Sequence, residues 1–400
     1  MEILRHLLTS DPQVQKLLDE IKKGQGAELV TGLSGSARPA FLDTIFYTLQ
    51  KPLYIISPNL LQAQKMYDDL AKLIGEDMVH YYPADEFIAA DMATSSPELR
   101  AARIETLDHM IHQQKGVYVI PIAGMRKIMA PKEVWMNLNL TAKLGEEIDV
   151  EEWLNQLVTM GYSRSQMVTS PGEFALRGGI LDIYPPYSEN PVRIELFDTE
   201  VDSIRTFSAD DQRSINKLKD IHLLPATEFV VTKNQRQQFA QRLESALSES
   251  LKKVKKKEIQ EQLYQNVQLD IELLQQGELP EFANRYGSLL YEKPAFLGDY
   301  FAKDGLVVYD EYGRIQEVME AWEKEEKEWF ISLIEEGKMV HAVKPSYSMK
   351  EVSAMIQLPI LYFSLFARNF SGVRFRDITS LSCKPMQHFH GQMPLLKGEI

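Results

Sequence analysis

The stretch Thr31–Phe41, TGLSGSARPAF, decides how the chain is read. It follows the apolar pair Leu29-Val30 and leads into Phe41-Leu42-Asp43-Thr44-Ile45-Phe46, a run of helical character. Strand, glycine turn and helix in that order are the setting of a phosphate-binding loop, G-x-x-x-x-G-K-[ST]. Gly32 opens the pattern and Gly35 keeps a turn glycine, but the last three positions are Ala37, Arg38 and Pro39. A working loop needs glycine for close backbone approach, lysine for the β- and γ-phosphates and a hydroxyl for magnesium. Ala37 adds a methyl group there, and Arg38 puts a planar fork where a compact ammonium belongs. Pro39 removes the hydroxyl and a backbone N–H, yet suits the first turn of a helix. The unit is therefore expected to fold and to lose hydrolysis. Weak anion binding at the helix start stays open.

Outward from the loop, strands and helices alternate. PLYIIS (52–57) reads as a buried strand, NLLQAQKMYDDLAKLIG (59–75) as a helix stopped by Gly75, MVHYYP (78–83) as a strand. SSPELRAARIETLDHMIHQ (95–113) opens as a helix, with Ser95 and Ser96 as candidate caps and Pro97 in the first turn; GVYVIPI (116–122) is a further strand. Repeated β-α units predict a doubly wound parallel sheet. Far downstream, GLVVYDEYGR (305–314) places Asp310 and Glu311 after an apolar strand, and PILYFSL (359–365) is another buried strand. Alone, an acidic pair after a strand is ordinary turn chemistry. Beside the altered loop, it matches the magnesium-and-water carboxylates of an ATPase. Two halves of such a site, in the expected order, point to a fold inherited without its activity.

The character changes near Lys132. EEIDVEEWLNQLVTMGY (146–162) reads as a helix. In NPVRIELFDTE, Val192, Ile194 and Leu196 alternate with Arg193, Glu195 and Phe197, the period of a strand. Gly178-Gly179 and Asp198-Thr199-Glu200 are turn candidates. A small, mainly antiparallel α+β domain follows from this. Residues 232–276 read as one or two long helices, with Leu243, Leu247, Leu251, Val254, Leu263, Val267 and Ile271 on one stripe. Within them, LKKVKKKE supplies five lysines at 252–257; the neighbouring glutamates favour a solvated helix face over a nucleic-acid contact. The boundaries drawn from this pass are 1–130, 131–228 and 229–400.

The bulk numbers are those of a globular chain of two or three domains: 400 residues, 44% hydrophobic, 25% charged. With net charge −13, contact with nucleic acid must be local rather than spread over the surface. One cysteine, Cys383, excludes an intrachain disulfide, and no apolar run is long enough for a membrane helix, so cytoplasm is the default. His388 and His390 form an H-x-H without accompanying metal ligands, which favours polar packing over a metal site. Arg164 and Arg177, with Phe174 nearby, have the composition of a protein-interface hot spot and equally that of an ordinary sheet surface.

The motifs PGEFALRGGILDIYPP, NPVRIELFDTEVDSIRTF, SSPELRAARI and QHFHGQMPLL resemble the bacterial transcription-repair coupling factors, from about residue 25 to the last residue. GLSGSAR sits where that family carries a degenerate phosphate loop. The resemblance is to the family's amino-terminal UvrB-homology module, similar to the damage-verifying helicase subunit UvrB. It implies an α/β fold: a RecA-like (P-loop NTPase-type) parallel-sheet domain built from two segments, with a small inserted α+β domain. Gly32, Gly35, Ala37, Arg38, Pro39, Asp310 and Glu311 would form a degenerate nucleotide site. HYYPADEFIAADMATSSPELR leaves no room for the damage-gripping hairpin of the helicase. The inserted domain would bind the damage-recognition ATPase UvrA through Arg164, Phe174 and Arg177. The pattern around LLKGEI normally continues, so a longer protein is expected. RNA polymerase and DNA would be engaged by its carboxy-terminal domains, which would use ATP and magnesium and would mask the UvrA surface. No cofactor, catalytic residue or metal is expected in these 400 residues.

Overall fold

The computed structural model describes residues 2–24, 26–84, 96–112, 115–280, 283–381 and 383. Its centre is a seven-stranded, all-parallel sheet of order β15-β1-β14-β13-β2-β4-β3. The first segment supplies β1 (Ala27–Thr31), β2 (Leu53–Ser57), β3 (Val79–Tyr81) and β4 (Val117–Pro121); the second supplies β13 (Leu306–Tyr309), β14 (Ile360–Ser364) and β15 (Asp377–Ser380). β2, β4 and β13 are buried throughout, as parallel strands covered on both faces must be. Helices α1 (Glu2–Ser10), α2 (Pro12–Lys22), α3 (Ala37–Leu49) and α4 (Leu60–Ile74) belong to the first segment, with α5 (Pro97–His112). Asn59 caps α4 by accepting the Gln62 N–H at 2.8 Å, and Gly75 ends it with φ 116°, a conformation that favours glycine. Short helices α6 (Ile122–Arg126) and α7 (Lys132–Met136) lead out of the sheet.

The chain then leaves to build a second sheet. Here α8 (Val150–Thr159) starts at Asp149, whose carboxylate accepts the Glu152 N–H at 3.0 Å. Six strands follow: β6 (Ser163–Arg164), β7 (Glu173–Arg177), β8 (Ile180–Ile183), β9 (Val192–Phe197), β10 (Glu200–Phe207) and β11 (Ser214–Leu218), in the spatial order β11-β10-β9-β8-β7-β6. All pairings are antiparallel except β6 with β7. The turns fall at Gly178, φ 61°, and Asp198, φ 59°, as expected. A two-stranded ribbon of β5 (Leu140–Lys143) and β12 (Asp220–Leu223), absent from the sequence reading, pairs the chain entering the excursion with the chain leaving it. The long helical stretch resolves into two helices, α9 (Lys233–Lys253) and α10 (Lys257–Gln275). Leu243, Leu247, Leu263, Val267 and Ile271 are buried along their shared seam. α11 (Tyr312–Glu335) and α12 (Met349–Met355) complete the second segment.

One buried ion cluster ties the return of the excursion to the parallel sheet. Glu228 bonds Arg103 of α5 and also lies 3.4 Å from the Lys127 ammonium, all three being buried. Burial alone would raise the Glu228 carboxyl, but the charges of Arg103 and Lys127 outweigh it and hold it below the usual range. Its contribution is therefore full above the ordinary carboxylate value and is lost on acidification through the lower folded value. Glu228→Ala removes the carboxylate that two buried cations share and is expected to cost about 3–5 kcal/mol. Urea unfolding at neutral pH tests this; a midpoint within error of the parent would show the cluster to be dispensable.

Candidate functional site

The altered loop and the distant carboxylates meet. Gly32 leaves β1 with φ 85°, and the loop passes through Gly35, φ 52°, into α3. Ala37, Arg38 and Pro39 form the first turn of that helix, so proline sits where its missing N–H does least harm. β13 lies in the same sheet, and Asp310 and Glu311 follow its last residue. The Arg38 guanidinium spans them: Nη1 donates to Asp310 Oδ1 at 3.1 Å, Nη2 to Glu311 and Nε to the Leu33 carbonyl at 3.1 Å. Glu311 takes the left-handed conformation, φ 58°, uncommon for a side chain of its size.

The loop backbone is engaged as well. Gly32 N–H donates to the Leu365 carbonyl at 3.2 Å, and the Ala37 and Arg38 N–H groups close turns onto Ser34 and Gly35. The chain beyond β15 crosses the loop so closely that a β-carbon on Gly32 would lie 2.0 Å from the Leu381 oxygen. A cation thus already occupies the carboxylate pair, and three loop donors are already satisfied. Asp310 is buried; burial pushes its carboxyl up to about 6, with Arg38 opposing and Glu311 adding to the rise.

The second candidate surface is on the six-stranded sheet. Arg164 is exposed on the edge strand β6, and Arg177 is exposed at the end of β7. The Arg177 guanidinium donates to Asp182 Oδ2 at 2.7 Å. Asp182 is fully buried, and Arg193 holds it with two further bonds, 2.6 and 2.9 Å, so Arg177 is not its sole partner. Register places Arg164 opposite Phe174, three residues before Arg177, so the two arginines fall on opposite faces of the sheet.

Phe174 is corrected here as a contact residue. It is only 1% exposed and belongs to the core with Leu181 and Ile183, so it supports the strand rather than meeting a partner. A strongly exposed aromatic on Arg177's face is Phe197, 79% exposed, whereas Phe207 on that face is buried. Register runs from Arg177 through Ile180 to Glu195, and Phe197 lies two residues further on the same face. Its signal was present in the alternation of β9, which puts an aromatic in phase with Arg193 and Glu195. His388, His390 and most of the segment read as too short for a damage-gripping hairpin, 85–95, lie outside the described residues. No group of ligands suited to a metal occurs among the described residues, and none of their helices is long and apolar enough to cross a membrane.

This fold and surface define a class: a RecA-like parallel-sheet domain, built from two segments, that carries an inserted sheet domain. Residues 140–229 match the family described as the UvrB interaction domain. Over all 400 residues the chain is 40% identical to the transcription-repair-coupling factor of Bacillus subtilis (strain 168), covering 34% of that protein. It is 36% identical to the factor of Staphylococcus haemolyticus (strain JCSC1435) and 34% to that of Staphylococcus aureus (strain MRSA252), again over the whole chain and 34% of each. The chain therefore spans about a third of the length of these relatives, and along its whole length it matches the amino-terminal region of the transcription-repair-coupling factors.

The raised Asp310 carboxyl makes a signed prediction. Its folded form holds a proton that the unfolded form has lost, so it favours folding at low pH, and this contribution disappears as pH rises through about 6. Relative to Asp310→Asn, the parent should lose roughly 2–3 kcal/mol of stability between about pH 4 and pH 7. Urea midpoints across that range report it; parallel profiles in the two proteins would remove Asp310 as the source.

Proposed function

We propose that this chain is the repair-recruitment region of a transcription-repair-coupling factor and that it acts by recognition rather than catalysis. The inserted sheet binds the damage-recognition ATPase UvrA and so brings nucleotide excision repair to a stalled RNA polymerase. The observation that carries this reading is the UvrB interaction domain at 140–229, with Arg177 and Phe197 exposed on one face of its sheet. Guanidinium groups suit carboxylates on a partner, and an exposed aromatic beside them supplies area that becomes buried. Arg164, on the opposite face at the sheet edge, joins this contact only where the partner wraps that edge. Polymerase binding and ATP-driven DNA translocation are assigned to the rest of the longer protein, whose carboxy-terminal part masks this surface until polymerase and DNA are engaged.

The non-catalytic part of the proposal rests on Arg38. A nucleotide with its magnesium needs both the loop N–H groups and the carboxylate pair; Arg38 holds the pair, and three of the loop N–H groups are already bonded within the chain. An ATPase reading would require Arg38 to leave Asp310 and Glu311, and another group to replace the lost hydroxyl.

Two experiments test these assignments. Arg177→Ala should weaken binding to UvrA by about 2 kcal/mol or more, roughly thirtyfold, and Phe197→Ala by at least about tenfold. Arg193 retains Asp182 in the first variant, so the fold is kept. Calorimetry showing unchanged affinity for both variants would take this face off the interface. Titration with ATP and magnesium should show no saturable binding in the micromolar range. Micromolar binding with turnover, both abolished by Asp310→Ala, would replace recruitment by an active ATPase.

A further inference from the structure

We infer that the turn between α9 and α10 is a docking point for the phosphate backbone of duplex DNA. Lys252, Lys253, Lys255, Lys256 and Lys257 crowd this turn, and all five are exposed. None forms an ion pair among the described residues; the paired lysines lie elsewhere, as at Lys22 and Lys23. The turn is ordered: the Gln260 amide donates to the carbonyls of Leu251, 3.1 Å, and Val254, 2.6 Å. The cluster is thus held at the tip of a helical hairpin, on a chain whose net charge is −13.

The acids one turn away, Glu249, Glu258 and Glu261, form no ion pair with these lysines among the described residues, so the five charges stand uncompensated at one turn. Lys252 and Lys253 suit the last turn of α9, where the helix dipole favours cations. Lys256 and Lys257 occupy the start of α10, where it disfavours them, and Lys256 caps that helix with no side-chain hydrogen bond. Residue choices that oppose local stability mark functional positions.

Composition selects the partner. The turn carries lysine and no arginine or exposed aromatic, whereas protein hot spots are rich in tryptophan, tyrosine and arginine and poor in lysine. Compact ammoniums on flexible stems suit phosphates, without reading sequence. The contact is therefore local, salt-dependent and indifferent to base sequence. It uses neither Arg177 nor Phe197 and is independent of the recruitment surface.

The test is fluorescence anisotropy of a labelled duplex of about 30 base pairs with the full 400-residue chain, over a salt series. Each phosphate neutralised contributes about −0.9 to the slope of log K against log salt, so a slope of roughly −3 to −5 is expected. Changing all five lysines to glutamine, with an unaltered melting curve, should cost at least about tenfold at low salt and flatten that slope. Lys22→Gln with Lys23→Gln should change neither. Absence of binding by the parent, or equal affinity and slope in the five-lysine variant, overturns the proposal. So does competition by polyglutamate equal to that by DNA, which would assign the turn to an acidic protein surface.

Discussion

The structure depends on one long-range pairing. β13 hydrogen-bonds to β2 on one side and β14 on the other, so the second segment of the chain lies inside the sheet begun by the first. Closing that pairing with β2 carries a large loop-entropy cost, because everything from α4 to α10 lies between. Burial of apolar strands on both faces offsets it. The same pairing explains why two motifs nearly three hundred residues apart share a site: β1 and β13 end on the same side of the sheet.

Once there, Arg38 changes what the site is. A phosphate loop is normally a set of unsatisfied donors facing a metal held by acids. Here three of the donors bond to the loop itself and to Leu365, and a guanidinium stands between the acids. Asp310 keeps a raised carboxyl even so, because burial outweighs its neighbour's charge. What remains is an internal ion pair linking α3 to the start of α11. The excursion is fastened in a similar way at its base, where Glu228 meets Arg103 and Lys127.

Much of this was legible in the chain. Thr31–Phe41 announced strand, turn and helix, and the Asp310-Glu311 pair announced the matching strand, because glycine, proline and acidic residues have narrow positional meaning. The period of β9 marks Val192, Ile194 and Leu196 as the inward face and so puts Phe197 on the outward one. Phe174 stands near the arginines along the chain, but a strand alternates its faces every residue, and the fold turns it into the core. The ribbon of β5 and β12 left no local signature, since pairing between strands nearly eighty residues apart is a tertiary event. Arg38 was read as a damaged lysine; that it would reach both carboxylates required the sheet order.

Asp182 shows how the exposed face of the inserted sheet is buffered. Its carboxylate is buried, and the bidentate grip of Arg193 satisfies it from the neighbouring strand. Arg177 shares that carboxylate but is not needed to hold it. Loss of the side chain at 177 therefore leaves the buried carboxylate held by two bonds, whereas loss of the one at 193 would leave it a single, surface-exposed partner; residue 193 is committed to the fold and residue 177 is not.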